Sequence, residues 1–218
     1  MKLILLVGGG GHCHSCIDVI EATGLYHIEG VVQPTPSLGL VLGHPIVGSD
    51  YDLPRLLKTT PLALVTVGQL TSPSPRIRLF DIVKTHEAEL PIIISPKAHC
   101  STHAVVGQGS IIMHGAIVNA GATIGVNSII NSQALIEHDS LVGPHCHIST
   151  GARVNGNVSI GRGSFIGSGV VVKEGVSIGD NVVIAAGQTV LRDVPSGVLV
   201  KEKNVEQTYD NRRSRRKP

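Results

Sequence analysis

From residue 106 onward, every sixth position is a branched aliphatic. Val106, Ile112, Val118, Ile124, Ile130, Ile136, Val142, Ile148, Val154, Ile160, Ile166, Val172, Ile178, Ile184 and Val190 hold one unbroken register. Four places after these, the side chain is usually small, as at Ser110, Ala116, Ala122, Ser128, Ala134, Ser140, Cys146 and Ala152. Glycine often follows the aliphatic directly, at Gly107, Gly125, Gly143, Gly161, Gly167 and Gly179. A period of six is neither helical nor simply alternating. It predicts very short strands joined by turns, three to a coil, with coils stacking about 4.8 Å apart by parallel pairing. The glycines are expected to supply the turn conformations. No loop is extruded, so an active site must lie on the faces of the coil, between subunits. The open edges and wide faces call for self-association.

The first half reads differently. Residues 2–7 form a buried apolar strand that runs into Gly8-Gly9-Gly10-Gly11, with a helix expected from His14 to Thr23. A strand Ile28–Val32, helix Leu53–Lys58, strand Leu62–Val67, helix Arg76–Glu87 and strand Ile92–Ile94 follow. Strands alternating with helices predict a small parallel, Rossmann-like α/β domain. The expected division is an α/β domain over 1–96, an all-β coil over 97–200 and a basic tail over 201–218.

Composition agrees with a narrow core. Hydrophobic residues make up 42% of the 218, yet only 2% are aromatic and 26 are glycine. The formal net charge is +2, and residues 201–218 alone carry a surplus of four positive charges. With no aromatic platform beside it, that tail reads as a solvated terminus and not as a nucleic-acid arm. Four cysteines do not make a disulfide framework. The apolar start is too short for a signal sequence and no stretch reaches membrane-span length, so a cytoplasmic protein is expected.

A glycine-rich turn between a first strand and a helix bares backbone N–H groups toward an anion. The dinucleotide pattern G-x-G-x-x-G is incomplete here, because its third glycine falls on Cys13 or His14. A sugar-nucleotide diphosphate fits the short loop better. Cys13 and Cys16 have C-x-x-C spacing but lack the second pair that a structural zinc needs, so no metal is expected. In Glu137-His138-Asp139, stacking by one coil sets Ala120 and Gly156 beside His138 and leaves a notch at the imidazole. A histidine next to a carboxylate is held in one tautomer and can act as a general base.

Three patches together resemble one family. They are Leu6-Val7-Gly8-Gly9-Gly10-Gly11-His12, Val65-Thr66-Val67-Gly68 and Asn131-Ser132-Gln133-Ala134-Leu135-Ile136-Glu137-His138-Asp139. In order and spacing the chain, up to about Val200, is similar to the bacterial sugar O- and N-acyltransferases of the sialic-acid O-acetyltransferase type. These include enzymes that acylate UDP-4-amino-4,6-dideoxy sugars. The resemblance implies a left-handed parallel β-helix assembled as a homotrimer, acetyl-CoA as co-substrate, and His138 as the base, oriented by Asp139. It implies a nucleotide-sugar on Gly9, Gly10, Gly11 and His12, with Gly68 and Gln33 nearby. It implies an acetyl-CoA groove along His147, Gly156, Ser168 and Ala186, with a backbone N–H or His147 at the oxyanion. The chain departs from the family at three places. Gln33 stands where a base-reading Asp is usual, Gln69-Leu70 replaces Asn-Asn, and Val200-Lys201-Glu202-Lys203 replaces the G-V-P-A ending.

The expected function is N-acetylation of a nucleotide-linked amino sugar for surface-glycan biosynthesis. O-acetylation of a sugar or sialic acid is the alternative within the same class. Outside it stand a non-catalytic trimeric scaffold and a metal-dependent lyase of the gamma carbonic anhydrase type, whose histidine spacing His114, His138, His145 and His147 do not reproduce.

Overall fold

The structure, a computed structural model, describes residues 1–35 and 38–201. Apart from Lys201, the basic tail lies outside the described residues.

Strand β1 (Lys2–Val7) is the hub of the first half. Its last four residues are buried, as befits a parallel strand covered on both faces. It pairs in parallel with β2 (Tyr26–Val32) and, on its other side, with β5 (Ala63–Val65). Beyond β2 lie β4 (His44–Gly48), parallel to it, and the short β3 (Leu40–Val41), antiparallel to β4. The order is β3-β4-β2-β1-β5. Helix α1 (Gly11–Thr23) connects β1 to β2 and ends at Gly24, whose φ of 64° gives the left-handed stop. Helices α2 (Leu53–Thr59) and α3 (Ser74–Thr85) each have a proline in the first turn, where its missing N–H costs nothing.

Several details differ from the sequence reading, β2 and α3 each starting two residues earlier. Helix α1 starts three residues earlier, at Gly11. The expected strand Leu62–Val67 shortens to Ala63–Val65. The hairpin of β3 and β4 lies between Val32 and Leu53, where the sequence reading placed no element. Strand β6 (Ile93–Ile94) does not join the α/β sheet; it pairs with Ile111–Ile112 and is the first rung of the coil.

From β6 to Leu199–Val200, two-residue strands build three parallel sheets of seven, six and five strands, which form the faces of a triangular prism. Fourteen of the fifteen periodic aliphatics are buried inside, and Val106, near the open end, is partly so. The small residues lie inside the corners. Ser110, Ser128, Ser140 and Ser164 turn their hydroxyls to carbonyls of the next coil, at Gly125, Gly143, Asn155 and Gly179 (2.8 to 3.1 Å). Interior polar groups are thereby satisfied without water.

The glycines serve a purpose other than the one their position suggested. Left-handed φ recurs every six residues from Gly109 to Gly187, at glycines and also at Asn127, Gln133, Asp139, His145, Asn157 and Asn181. The glycines directly after the aliphatics are not part of that set. At Gly167, a Cβ would lie 2.6 Å from the backbone nitrogen of Ala186 in the next coil. Close approach of stacked backbones, not turn geometry, demands glycine there.

The two halves share cores. The buried face of α1, with Cys13, Cys16, Ile17 and Ile20, packs on Ile93, Ile111, Met113 and Ile129 of one prism face. Phe80 and Leu90 press on Gly109 at a corner.

Candidate active site

The glycine loop is shaped by what it rests on. Gly8 has φ 120°, and a Cβ there would come within 2.9 Å of the Val67 backbone nitrogen. Its N–H donates to Val32 O (2.8 Å), and the Thr66 hydroxyl donates to its carbonyl (2.7 Å). Gly10 is the N-cap of α1 and brings no side-chain cap. At Gly10 and Gly11 nothing stands within 4 Å of a would-be Cβ. The first turn of α1 therefore opens its free N–H groups, at the positive end of the helix dipole, to an incoming anion.

That opening faces a cleft of about 840 Å³. One wall is Gly8 to His12 and the other is Val67 to Ser72. The floor, which the sequence did not announce, is an edge of the prism: Asn131, Ser132, His147, Ser149 and Thr150. Gly9, Gly10, Gly11, His12, Gly68 and His147 thus meet in one place. Gln33 borders a smaller adjoining hollow with Gly9, Gly10, Pro34 and Thr35. Its Oε1 stands over Gly9, where a Cβ would be 2.6 Å away, and its amide donates to Thr35 O (3.1 Å).

His147 is fixed on both sides. Its Nδ1–H donates to Gln69 O (2.8 Å), and its Nε2 accepts from the Asn131 amide (3.2 Å). Burial, above all, lowers its pKa to about 4, so it is neutral near pH 7. With both nitrogens engaged, its side chain has no N–H to offer an oxyanion. His12, 6.0 Å away between ring centroids, is held neutral by burial at a pKa of about 3, and its buried Nε2 has no hydrogen-bond partner. Gln69 and Asn131 are site residues that the sequence reading left without a role. Asn131 stood inside a quoted patch, whereas Gln69 gave only the signal of replacing an Asn.

His138 lies elsewhere. It sits at a corner turn after the Leu135–Ile136 strand, half-exposed. Nδ1–H donates to Asp139 Oδ2 (2.9 Å), so Nε2 keeps its lone pair. The Asp139 hydrogen bond raises its pKa, with smaller contributions from the Glu137 and Glu174 charges. Gly156 stands directly beside the ring: a Cβ there would lie 2.7 Å from both Cε1 and Nε2. Asn119 holds Glu137 (2.8 Å) on the same edge.

Two edges of the prism therefore carry the candidate residues. Ser132, Thr150, Ser168 and Ala186 stack at coil intervals up the edge that floors the cleft, and Ser168 shares a hydrogen bond with Ser149 (2.9 Å). Gly156 belongs to the other edge with His138. The two edges bound one face, the six-stranded one. Within one subunit, His138 does not reach the cleft. Cys13 and Cys16 are buried in α1, their thiols pushed up by burial, and among the described residues no group of three His, Cys, Asp or Glu is arranged to hold a metal ion.

Comparison with known proteins follows the same division. The PglD N-terminal domain family matches residues 3–82. The bacterial transferase hexapeptide (six repeats) family matches residues 139–174, and the hexapeptide repeat of succinyl-transferase matches residues 157–192. No curated protein matches the chain. Among solved structures, PerB from Caulobacter crescentus, in complex with CoA and GDP-perosamine, is 33% identical. The match covers 91% of this chain and 93% of that one, with a TM-score of 0.85. The acetyltransferase domain of PglB from Neisseria gonorrhoeae, in complex with acetyl coenzyme A, is 30% identical. It covers 91% and 95%, also at 0.85. WeeI from Acinetobacter baumannii shares the fold at 20% identity, with 92% and 97% covered and a TM-score of 0.81. With its two-part fold, its glycine loop and its histidine edge, the chain belongs to the left-handed β-helix, hexapeptide-repeat acetyltransferases that carry a PglD-type N-terminal domain.

Proposed function

We propose that the protein transfers the acetyl group of acetyl-CoA to the amine of a nucleotide-linked amino sugar, for the building of a surface glycan. The observation that carries this reading is the His138–Asp139 pair, one carboxylate-held imidazole with a free Nε2 beside the Gly156 notch. The solved relatives add support, since PerB holds CoA and GDP-perosamine and the PglB domain holds acetyl-CoA.

In this reading, residues 1–96 bind the nucleotide-sugar and residues 97–200 bind acetyl-CoA and supply the base. The diphosphate lies on Gly9, Gly10, Gly11 and His12, with Gly68 across the cleft and Gln33 toward the nucleoside. The pantetheine runs along the edge of His147, Ser168 and Ala186, and passes Gly156 of a neighbouring subunit. The protein works as a homotrimer, because the His138 edge of one subunit must face the cleft of the next. His138 Nε2 takes a proton from the amine as its nitrogen attacks the thioester carbonyl. The C–N bond forms, the C–S bond breaks, and the departing sulfur takes that proton back from His138, so CoA leaves as the thiol and the imidazole is neutral again. Backbone N–H groups, and not His147, serve the oxyanion. Among the described residues no helix is long and apolar enough to cross a membrane. We assign the protein to the cytoplasm, where both substrates are made.

The test is free-thiol release from acetyl-CoA with UDP- and GDP-4-amino sugars and sialic acids as acceptors. Release with an amino sugar supports the reading. Release with a sialic acid alone makes it an O-acetyltransferase. Silence across the panel overturns it.

A further inference from the structure

Arg76, near the start of α3, is fully buried, and its guanidinium reaches no carboxylate among the described residues. We propose that Arg76 is a positioning residue for the cleft: it ties the end of β5 to Asn127 of the β-helix and so holds the Val67–Gln69 wall against His147. The proposal rests on the acetyl-transfer reading for its activity readout alone.

One nitrogen donates to Val65 O (3.0 Å) and Val67 O (2.5 Å), the other to Asn127 O (3.0 Å) and Oδ1 (2.8 Å). A buried cation is costly, and a well-packed apolar residue usually serves stability as well or better. What an apolar side chain lacks is a planar fork that fixes acceptors from two parts of the chain at once. Here those acceptors belong to the end of β5 and to a left-handed corner of the prism, Asn127 at φ 52°.

Both walls of the cleft depend on that clamp. Val67 lies directly under Gly8, so it supports the glycine loop. Two residues on, Gln69 O receives the His147 proton, and the Gln69 amide donates to Gly163 O (2.8 Å). Pro73 closes on the same Gly163. The segment from Val65 to Pro73 is thus pinned by Arg76 at one end and by the prism at the other. The guanidinium charge also helps to keep His12 and His147 neutral.

The experiment uses the full chain with Arg76→Met, Arg76→Lys and, as a control on the same helix, Arg78→Ala. At a temperature where circular dichroism shows all variants folded, Arg76→Met is expected to raise KM for the nucleotide-sugar by about tenfold or more, with kcat within about threefold. Arg76→Lys keeps the charge without the fork and is expected to fall within about threefold of the Met variant. Arg78→Ala, which loses only an exposed pair with Asp50, should stay within about twofold of wild type. Histidine C2 hydrogen–deuterium exchange, read by mass spectrometry without substrate, should show the His147 midpoint moving up in Arg76→Met. A lowered Tm with unchanged KM and unchanged His147 exchange would make Arg76 structural only, and full rescue by lysine would overturn the fork argument. If Arg76→Met does not fold, Asn127→Gly decides. It removes one acceptor and suits the left-handed corner, and a KM within about twofold of wild type would overturn the proposal. Wild-type silence with every acceptor sinks the acetyl-transfer reading and leaves the Arg76 proposal to the exchange measurement.

Discussion

Gly156 is the residue that makes room for His138: no side chain at position 156 can coexist with the imidazole where it stands, because even a Cβ would lie 2.7 Å from Nε2. The backbone at Gly156 lies outside the left-handed set, so an alanine there is not strained by its φ. Gly156→Ala should displace the half-exposed ring, lower kcat by about tenfold or more and leave Tm nearly unchanged. A variant with wild-type kcat would show that the ring position does not matter.

His138→Ala removes the proposed proton acceptor itself. Turnover is expected to drop by a factor on the order of 10² to 10⁴, with the circular dichroism spectrum and Tm retained, since the side chain is surface-held. Near-normal turnover would remove His138 as the base.

The Asp139 hydrogen bond raises the His138 pKa above its ordinary 6.5. A base acts only when deprotonated, so kcat/KM should climb with pH through a midpoint above 6.5 and level off at higher pH. In Asp139→Asn, that midpoint should move down while the plateau falls, because the tautomer is no longer fixed. The pH–rate profile of both proteins checks this. An unmoved midpoint would disconnect Asp139 from the base.

A site split between subunits can be reconstituted by mixing. His138→Ala chains keep a sound cleft. Gly10→Leu chains keep His138 but fill the cleft, because a side chain at Gly10 meets nothing else. Each homotrimer should be inactive, and a mixture refolded from equal parts should regain about a quarter of wild-type activity. If the mixture stays as inactive as its components, the cleft and His138 do not work across a subunit boundary.

Three histidines that the fold holds neutral set an acid limit. His12, His145 and His147 have pKa values of about 3, 4 and 4 in the fold, against 6.5 for the free side chain. As pH falls below about 6.5, the unfolded chain binds protons that the folded one refuses, so stability is lost toward pH 4. The slope should approach about 1.4 kcal/mol per pH unit for each such histidine. Urea denaturation at pH 7, 6 and 5 measures it. A Cm independent of pH over that range would mean that these rings are not held neutral.

The coil was legible from sequence because each of its repeats must put one aliphatic inside a space too narrow for alternatives. Val106 to Val190 therefore report the fold one residue at a time. The glycine loop was equally legible, since free helical N–H groups are a local property of Gly8 to Gly11. The His138 notch needed only the coil length, which brings Gly156 alongside. Strand β6 was misplaced for a local reason. Two apolar residues, Ile93 and Ile94, carry no period, and only pairing with Ile111 and Ile112 decides which sheet they join.

The sequence by itself determined the prism, the α/β half and the placing of His138 beside Asp139 and Gly156, because those follow from periodicity and from neighbours a fixed number of residues apart. The tertiary structure alone decided where the cleft is, what floors it and which proton His147 carries. It brings Gln69 to His147 across 78 residues and Arg76 to Asn127 across 51. No spacing encodes those meetings. They arise when the apolar face of α1 is buried on Ile111 and Ile129, which docks one half on the other and leaves the polar residues between them to satisfy each other.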